Sequence, residues 1–140
     1  MLYLDTSVLV AALTPEAQTP HIQQWLAEQD ATALHISDWI INEFSSALSL
    51  KLRSAQLDDA QRARALATFT TLLEESIAVL PVAREAFRTA ARFTDQAGIG
   101  LRAGDALHLA TASAHGATLV TLDQKLLQAA PAVAVDTLAP

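Results

Sequence analysis

Short apolar runs alternate along the chain with longer stretches of helical periodicity. Leu2 to Leu4 form the first run, and Asp5-Thr6-Ser7 leads into a small apolar helix through Leu13 that Thr14-Pro15 brings to a stop. Thr19, followed by Pro20 at the first helical position, is expected to cap a helix burying Ile22, Trp25 and Leu26. A second strand is predicted over Ala33 to Ile36. Ser37 then caps a helix in which Ile40 or Ile41, Phe44, Leu48 and Leu52 recur every three to four residues. Asp58 and Asp59 open another helix, with Leu66, Phe69, Leu72 and Leu73 as its apolar positions, ending near Glu75.

Ile77 to Leu80 read as a third strand closed by Pro81, and Arg84 to Ala97 as a helix. Gly98 to Gly104 form a glycine-punctuated loop before an alanine-rich helix from Ala103 to His115, which Gly116 terminates. Thr118 to Thr121 and Val133 to Val135 are the last predicted strands, with a short helix around Lys125 to Ala129 between them. This alternation predicts an α/β fold: one domain over residues 1–140, with a mainly parallel sheet of about four to five strands flanked by helices.

Composition narrows the chemistry. With 140 residues the chain suits a single core, and no apolar run approaches the roughly 20 residues of a membrane span. The start of the chain enters a strand pattern with no basic leader or long apolar stretch, so a cytoplasmic location is expected. Cysteine is absent, which excludes disulfides, thiolate metal sites and cysteine nucleophiles. His21, His35, His108 and His115 include no pair at the three- or four-residue spacing of a helical metal clamp, so a metal is expected to be held by oxygen.

Four carboxylates carry the candidate chemistry. Asp5 directly follows the first strand and Asp123 the strand at 118–121, Glu43 lies early in the helix after the second strand, and Asp105 opens a helix. In a parallel sheet the strand carboxyl ends share one edge, so acids distant in sequence converge there. Each Asp alone is explained as a helix cap or first-turn residue. Together they need a counter-ion, since two unit charges 4 Å apart repel by roughly 4 kcal/mol at an effective dielectric near 20. Oxygen donors of this kind suit Mg²⁺, or Mn²⁺ in its place, which complete their shells with water and substrate phosphate. Phosphodiester hydrolysis is the corresponding reaction. The net charge of −6 is unusual for a protein that binds nucleic acid, although four of its fifteen acids belong to this constellation.

The segments Leu-Tyr-Leu-Asp5-Thr-Ser-Val-Leu-Val, Glu43-Phe-Ser-Ser-Ala-Leu, Gly104-Asp105-Ala-Leu-His-Leu-Ala-Thr-Ala and Leu-Val-Thr121-Leu-Asp123 together resemble the PIN-domain ribonucleases, most closely the VapC-type toxins of bacterial toxin–antitoxin pairs. The resemblance spans nearly the whole chain. It implies an endoribonuclease dependent on Mg²⁺, hydrolysing RNA through metal-activated water and leaving 5′-phosphate and 3′-hydroxyl ends. It further implies that Asp5, Asp105 and Asp123 hold the principal ion, that Glu43 joins Asp105 at a second, and that Thr6, Ser7 and Thr121 support the site. An antitoxin covering the acidic pocket and a homodimer are implied in the same way. An RNA-processing nuclease without antitoxin and a non-catalytic protein-binding module are the alternatives.

Other patterns are weaker. Gly98-Ile-Gly-Leu-Arg-Ala103 fits a dinucleotide-binding motif, but helical spacing rather than a strand precedes it. Asp5 lacks the second Asp two residues on that an aspartyl-phosphate mechanism of the haloacid-dehalogenase kind needs, because position 7 is Ser. His108 is read as a partly buried helix residue outside the catalytic set. Arg84, Arg88 and Arg92 form a helical stripe, read as a solvated face with intrahelical pairs or as an RNA backbone contact. Trp25 and Trp39 are read as core.

Overall fold

A computed structural model describes residues 1–140. Its strands are β1 (Leu2–Leu4), β2 (Leu34–Ser37), β3 (Ala78–Leu80), β4 (Thr118–Val120) and β5 (Thr137–Leu138). Its helices are α1 (Thr6–Leu13), α2 (Thr19–Ala27), α3 (Asp38–Arg53), α4 (Asp59–Glu75), α5 (Arg84–Thr94), α6 (Ala103–His115) and α7 (Gln124–Ala129). All strand pairs are parallel, in the order β3-β2-β1-β4-β5.

β1 is central, with Tyr3 and Leu4 fully buried, so its two faces are both covered by helices. Its register pairs Leu4 with Val120 of β4 and Tyr3 with His35 of β2. The chain builds outward from β1 through β2 to β3, then crosses back to lay β4 on the other side. That reversal makes the carboxyl ends of β1 and β4 the switch point where parallel sheets form a crevice. The main core lies on the sheet and includes Ile36, Ile40, Phe44 and Leu119; a smaller alanine-rich core of Ala86, Ala90, Ala106 and Ala110 joins α5 to α6. Small side chains there let the two helices approach closely.

Local chemistry shifts several boundaries. The strand expected over Val133 to Val135 is absent, and β5 starts at Thr137. Pro131 begins a tight 3₁₀ turn over Ala130–Val133, Ala134 adopts a left-handed conformation, and Val135 is drawn back into the core with its N–H donating to Ala130. Sheet pairing resumes only at Asp136, whose carbonyl accepts from Leu119 N. α5 stops at Thr94 instead of Ala97, and Ala97–Ile99 form a separate 3₁₀ turn. Gly100 follows in the left-handed region that glycine tolerates.

Thr19 is the first helical residue of α2 rather than its cap, which is Gln18. Its hydroxyl accepts from Glu16 N and lies 2.7 Å from the carbonyl oxygens of Ala11 and Thr14, tying the α1–α2 turn together. Ser37 does occupy the cap position of α3, yet its hydroxyl makes no cap bond. The buried Tyr3 hydroxyl lies 2.7 Å away and takes it instead. Trp25 and Trp39 are half-buried, packed against the main and the smaller core respectively. No helix is long and apolar enough to cross a membrane.

Candidate active site

β1 delivers Asp5 to the switch point. Asp5 is the N-cap of α1, extended in backbone and only 5% exposed, and its carboxylate is held by four donors. Oδ1 accepts from Thr6 N at 2.7 Å; Oδ2 accepts from Ser7 Oγ at 2.6 Å, Thr121 Oγ1 at 2.7 Å and, more weakly, Ser7 N at 3.4 Å. Thr121, which follows β4 and is fully buried, also accepts from Asp123 N at 3.0 Å, while Leu122 N donates to Ser7 Oγ. The ends of β1 and β4 are thereby stitched by side chains where the backbone ladder stops.

The other acids approach from three helices. Asp123 caps α7, with Oδ1 accepting from Lys125 N at 2.7 Å. Asp105 sits in the first turn of α6, where Oδ2 accepts a long bond of 3.3 Å from Arg102 N. Glu43, in the second turn of α3, accepts from Thr6 Oγ1 at 2.6 Å. Gly104 admits this last approach: a Cβ built there would lie 3.1 Å from Glu43 Oε1. All four acids, with Thr6 and Ser7, line one open cavity of about 340 Å³, to which Leu50 contributes an exposed apolar rim. Thr121 stands behind it, bonded to Asp5.

His108, expected to be only partly buried, is buried and lines this cavity. One turn beyond Asp105 on α6, it is 2% exposed, with Nε2 at 2.7 Å from Glu43 Oε2 and 3.4 Å from Asp5 Oδ1. Its Nδ1 lies 3.2 Å from the Tyr3 hydroxyl. The signal available in the sequence was the three-residue spacing from Asp105, which places both on one face of a helix. Burial alone disfavours charge on His108, but the Glu43 hydrogen bond and the nearby Asp5 charge win, and its pKa is raised. Glu43 is likewise penalised by burial, and the hydrogen bond and charge of His108, with the Thr6 hydroxyl, leave its pKa lowered. Burial pushes the Tyr3 phenol well above its usual range, so it remains a neutral hydrogen-bond partner.

The donor set fits a hard divalent ion. Asp5, Glu43 and His108 each present one ligand atom, all within 4.8 Å of one another. The third of these is nitrogen, whereas oxygen alone was expected. A protonated imidazole, however, has no free lone pair and acts as a counter-charge. The open oxygens of Asp105 and Asp123 line the same cavity, so enough carboxylate oxygen is available for an ion of the Mg²⁺ type.

The basic stripe stands apart. Arg84, Arg88 and Arg92 are exposed on α5 and none lines the acidic cavity. Arg92 donates to Thr89 Oγ1, and none of the three forms the ion pairs expected with Glu85 or Asp95. Lys51 instead pairs with Glu16 at 2.7 Å.

A five-stranded parallel sheet whose switch point gathers acids from four elements defines a fold that others share. The chain belongs to the PIN domain family, whose model matches residues 2–131. Among solved structures it is similar to FitAB bound to a DNA fragment (TM-score 0.76, 22% identity, covering 100% of this chain and 95% of that one). It is also similar to FitAcB from Neisseria gonorrhoeae (TM-score 0.71, 23% identity, covering 98% and 96%). A third similarity is to the VapC20 toxin of Mycobacterium tuberculosis, described as cleaving the sarcin-ricin loop (TM-score 0.73, 17% identity, covering 92% and 95%). No curated protein matches the sequence.

Proposed function

We propose that this protein is a divalent-metal-dependent endoribonuclease and the toxin of a toxin–antitoxin pair. The observation that carries the reading is the convergence of Asp5, Glu43, Asp105 and Asp123 on one open cavity at the sheet's switch point. Membership of the PIN family supports a nuclease, and the similarity to an RNA-cleaving toxin favours RNA. The similarity to FitAB and to VapBC2 of Rickettsia felis, complexes bound to DNA, favours an antitoxin partner.

In this reading Asp5, Asp105 and Asp123 anchor Mg²⁺ or Mn²⁺, and Glu43 holds a second ion or orients the attacking water. A bound divalent ion supplies Lewis acidity, lowers the pKa of a water and shields the charge that builds on the phosphate. Thr6, Ser7 and Thr121 fix the carboxylates in advance of binding, so little reorganisation remains when substrate arrives. Thr6 orients Glu43, while Ser7 and Thr121 orient Asp5. His108 offsets part of the negative charge and keeps Glu43 directed inward. The protein acts in the cytoplasm as a homodimer.

The test is cleavage of total RNA by the purified chain with Mg²⁺ and with excess chelator. Cleavage that requires the ion and yields 5′-phosphate ends is expected. A chain that binds partners yet cleaves no RNA under either condition is a binding module, and the nuclease reading then falls.

A further inference from the structure

Beside the acidic cavity lies a second one, of about 450 Å³, between the Gly98–Leu101 turn and α7. The two share Asp105, so whatever fills the second abuts whatever is held in the first. Ile99 and Leu101 form an apolar wall braced against the main core, the exposed Ala132 also lines the cavity, and Gln128 adds an amide able both to donate and to accept. Lys125 is the only lysine or arginine lining either cavity. It leaves the same turn that holds Asp123, its own N–H donating to that carboxylate. A Cβ at Gly98 or Gly100 would meet nothing within 4 Å, so the rim is open to an incoming ligand.

We propose that this cavity is a subsite for the nucleotide next to the scissile phosphate of single-stranded RNA, with its base against Ile99 and Leu101 and its phosphate on Lys125. The inference rests on the nuclease reading and extends it to substrate recognition. A chain of net charge −6 repels the backbone on either side of the reacting phosphate. A cation beside the acids relieves that repulsion for one neighbour. Apolar walls with one amide suit an unstacked base, which presents a flat face and a hydrogen-bonding edge. The volume lies within the range of pockets that enclose small organic groups.

Two variants test it, both at exposed positions outside the acidic cavity: Ala132→Trp, which puts a bulky side chain into the cavity, and Lys125→Ala. Each is expected to raise KM for a short single-stranded RNA roughly tenfold while kcat stays within about twofold. Lys125→Ala should also flatten the dependence of log affinity on log salt by about 0.7, the loss of one phosphate contact. Independently of cleavage, AMP, GMP, CMP and UMP are titrated into the metal-free chain and followed by amide NMR. At least one should shift Gly98, Gly100 and Gln128 in the wild type, and the shifts should vanish in Ala132→Trp. If the wild type cleaves no RNA but the nucleotides still shift these amides, the nuclease reading falls together with the scissile-phosphate assignment, and what stands is a nucleotide-binding cavity. If RNA is cleaved with unchanged KM in both variants, or no nucleotide shifts these amides, the subsite falls, as it would if the cavity served a protein segment.

Discussion

His108 Nε2 lies 2.7 Å from Glu43 Oε2, linking α6 to α3 across 65 residues of sequence at the floor of the acidic cavity. Behind it the Tyr3 hydroxyl meets His108 Nδ1 and Ser37 Oγ, so a chain of polar contacts runs from the sheet interior to the cavity. Removing His108 strips Glu43 of its one cationic partner. His108→Ala is therefore expected to destabilise the metal-free protein by about 2 kcal/mol, below the usual cost of breaking a buried pair because Glu43 is partly solvated. Urea denaturation in chelator measures it; an unaltered midpoint would show that the pair contributes nothing.

The same pair makes stability depend on pH. The lowered pKa of Glu43 contributes stability that is complete above its ordinary value near 4.3 and lost as pH falls through the depressed value. The raised pKa of His108 contributes stability that is complete below its ordinary value near 6.5 and lost as pH rises through the elevated one. Metal-free protein should be most favoured by this pair between about pH 4.3 and 6.5, with Tm declining on the alkaline side. His108→Gln, which keeps a hydrogen-bond donor but cannot titrate, should flatten that decline in a Tm series across pH.

Asp5 and Asp105 separate structural from chemical roles. Asn at position 5 presents an amide N–H₂ to donors that Asp5 now satisfies, so Asp5→Asn should cost about 1–3 kcal/mol. Asp105 accepts a single long bond, and Asp105→Asn should alter stability by less than about 0.5 kcal/mol. Both should abolish Mg²⁺-dependent RNA cleavage. Full activity in Asp105→Asn with an unchanged melting curve would remove Asp105 from the site.

Gly104 offers a test in which stability and activity move in opposite directions. Alanine at this second position of α6 favours the helix by up to about 1 kcal/mol, but its methyl would stand 3.1 Å from Glu43 Oε1. Thr6 and His108 both bind the other oxygen, Oε2, so Oε1 gives way by a few tenths of an ångström while those bonds persist, which misplaces the one oxygen left free for the site. Gly104→Ala is expected to keep or raise Tm while lowering kcat roughly tenfold. Parallel melting and RNA-cleavage assays decide it; equal kcat would mean that Glu43 tolerates displacement.

Much of this architecture is legible in local patterns. The junctions at Asp5, Ser37 and Asp123 follow from an apolar run ending in a residue at the cap position of a helix, and period-two alternation puts Thr121 on the side of Asp123. The misplaced fifth strand has a local cause too: Val133 to Val135 is β-branched and apolar enough to read as a strand, but Pro131 starts a turn that spends those residues on closing the core. Propensity identifies a strand-like segment without saying which edge will accept it.

The sequence by itself determined the order of strands and helices, the absence of thiol chemistry, and which acids end up at one edge of a parallel sheet. Tertiary structure alone decided that His108 faces Glu43, that Ser37 serves Tyr3 in preference to its own helix, and that Asp105 is shared by two cavities. The reason is physical. Spacing along a chain fixes which face of a helix or strand a side chain occupies, whereas its partner depends on how helices rotate and pack against a sheet whose register is set by residues far away.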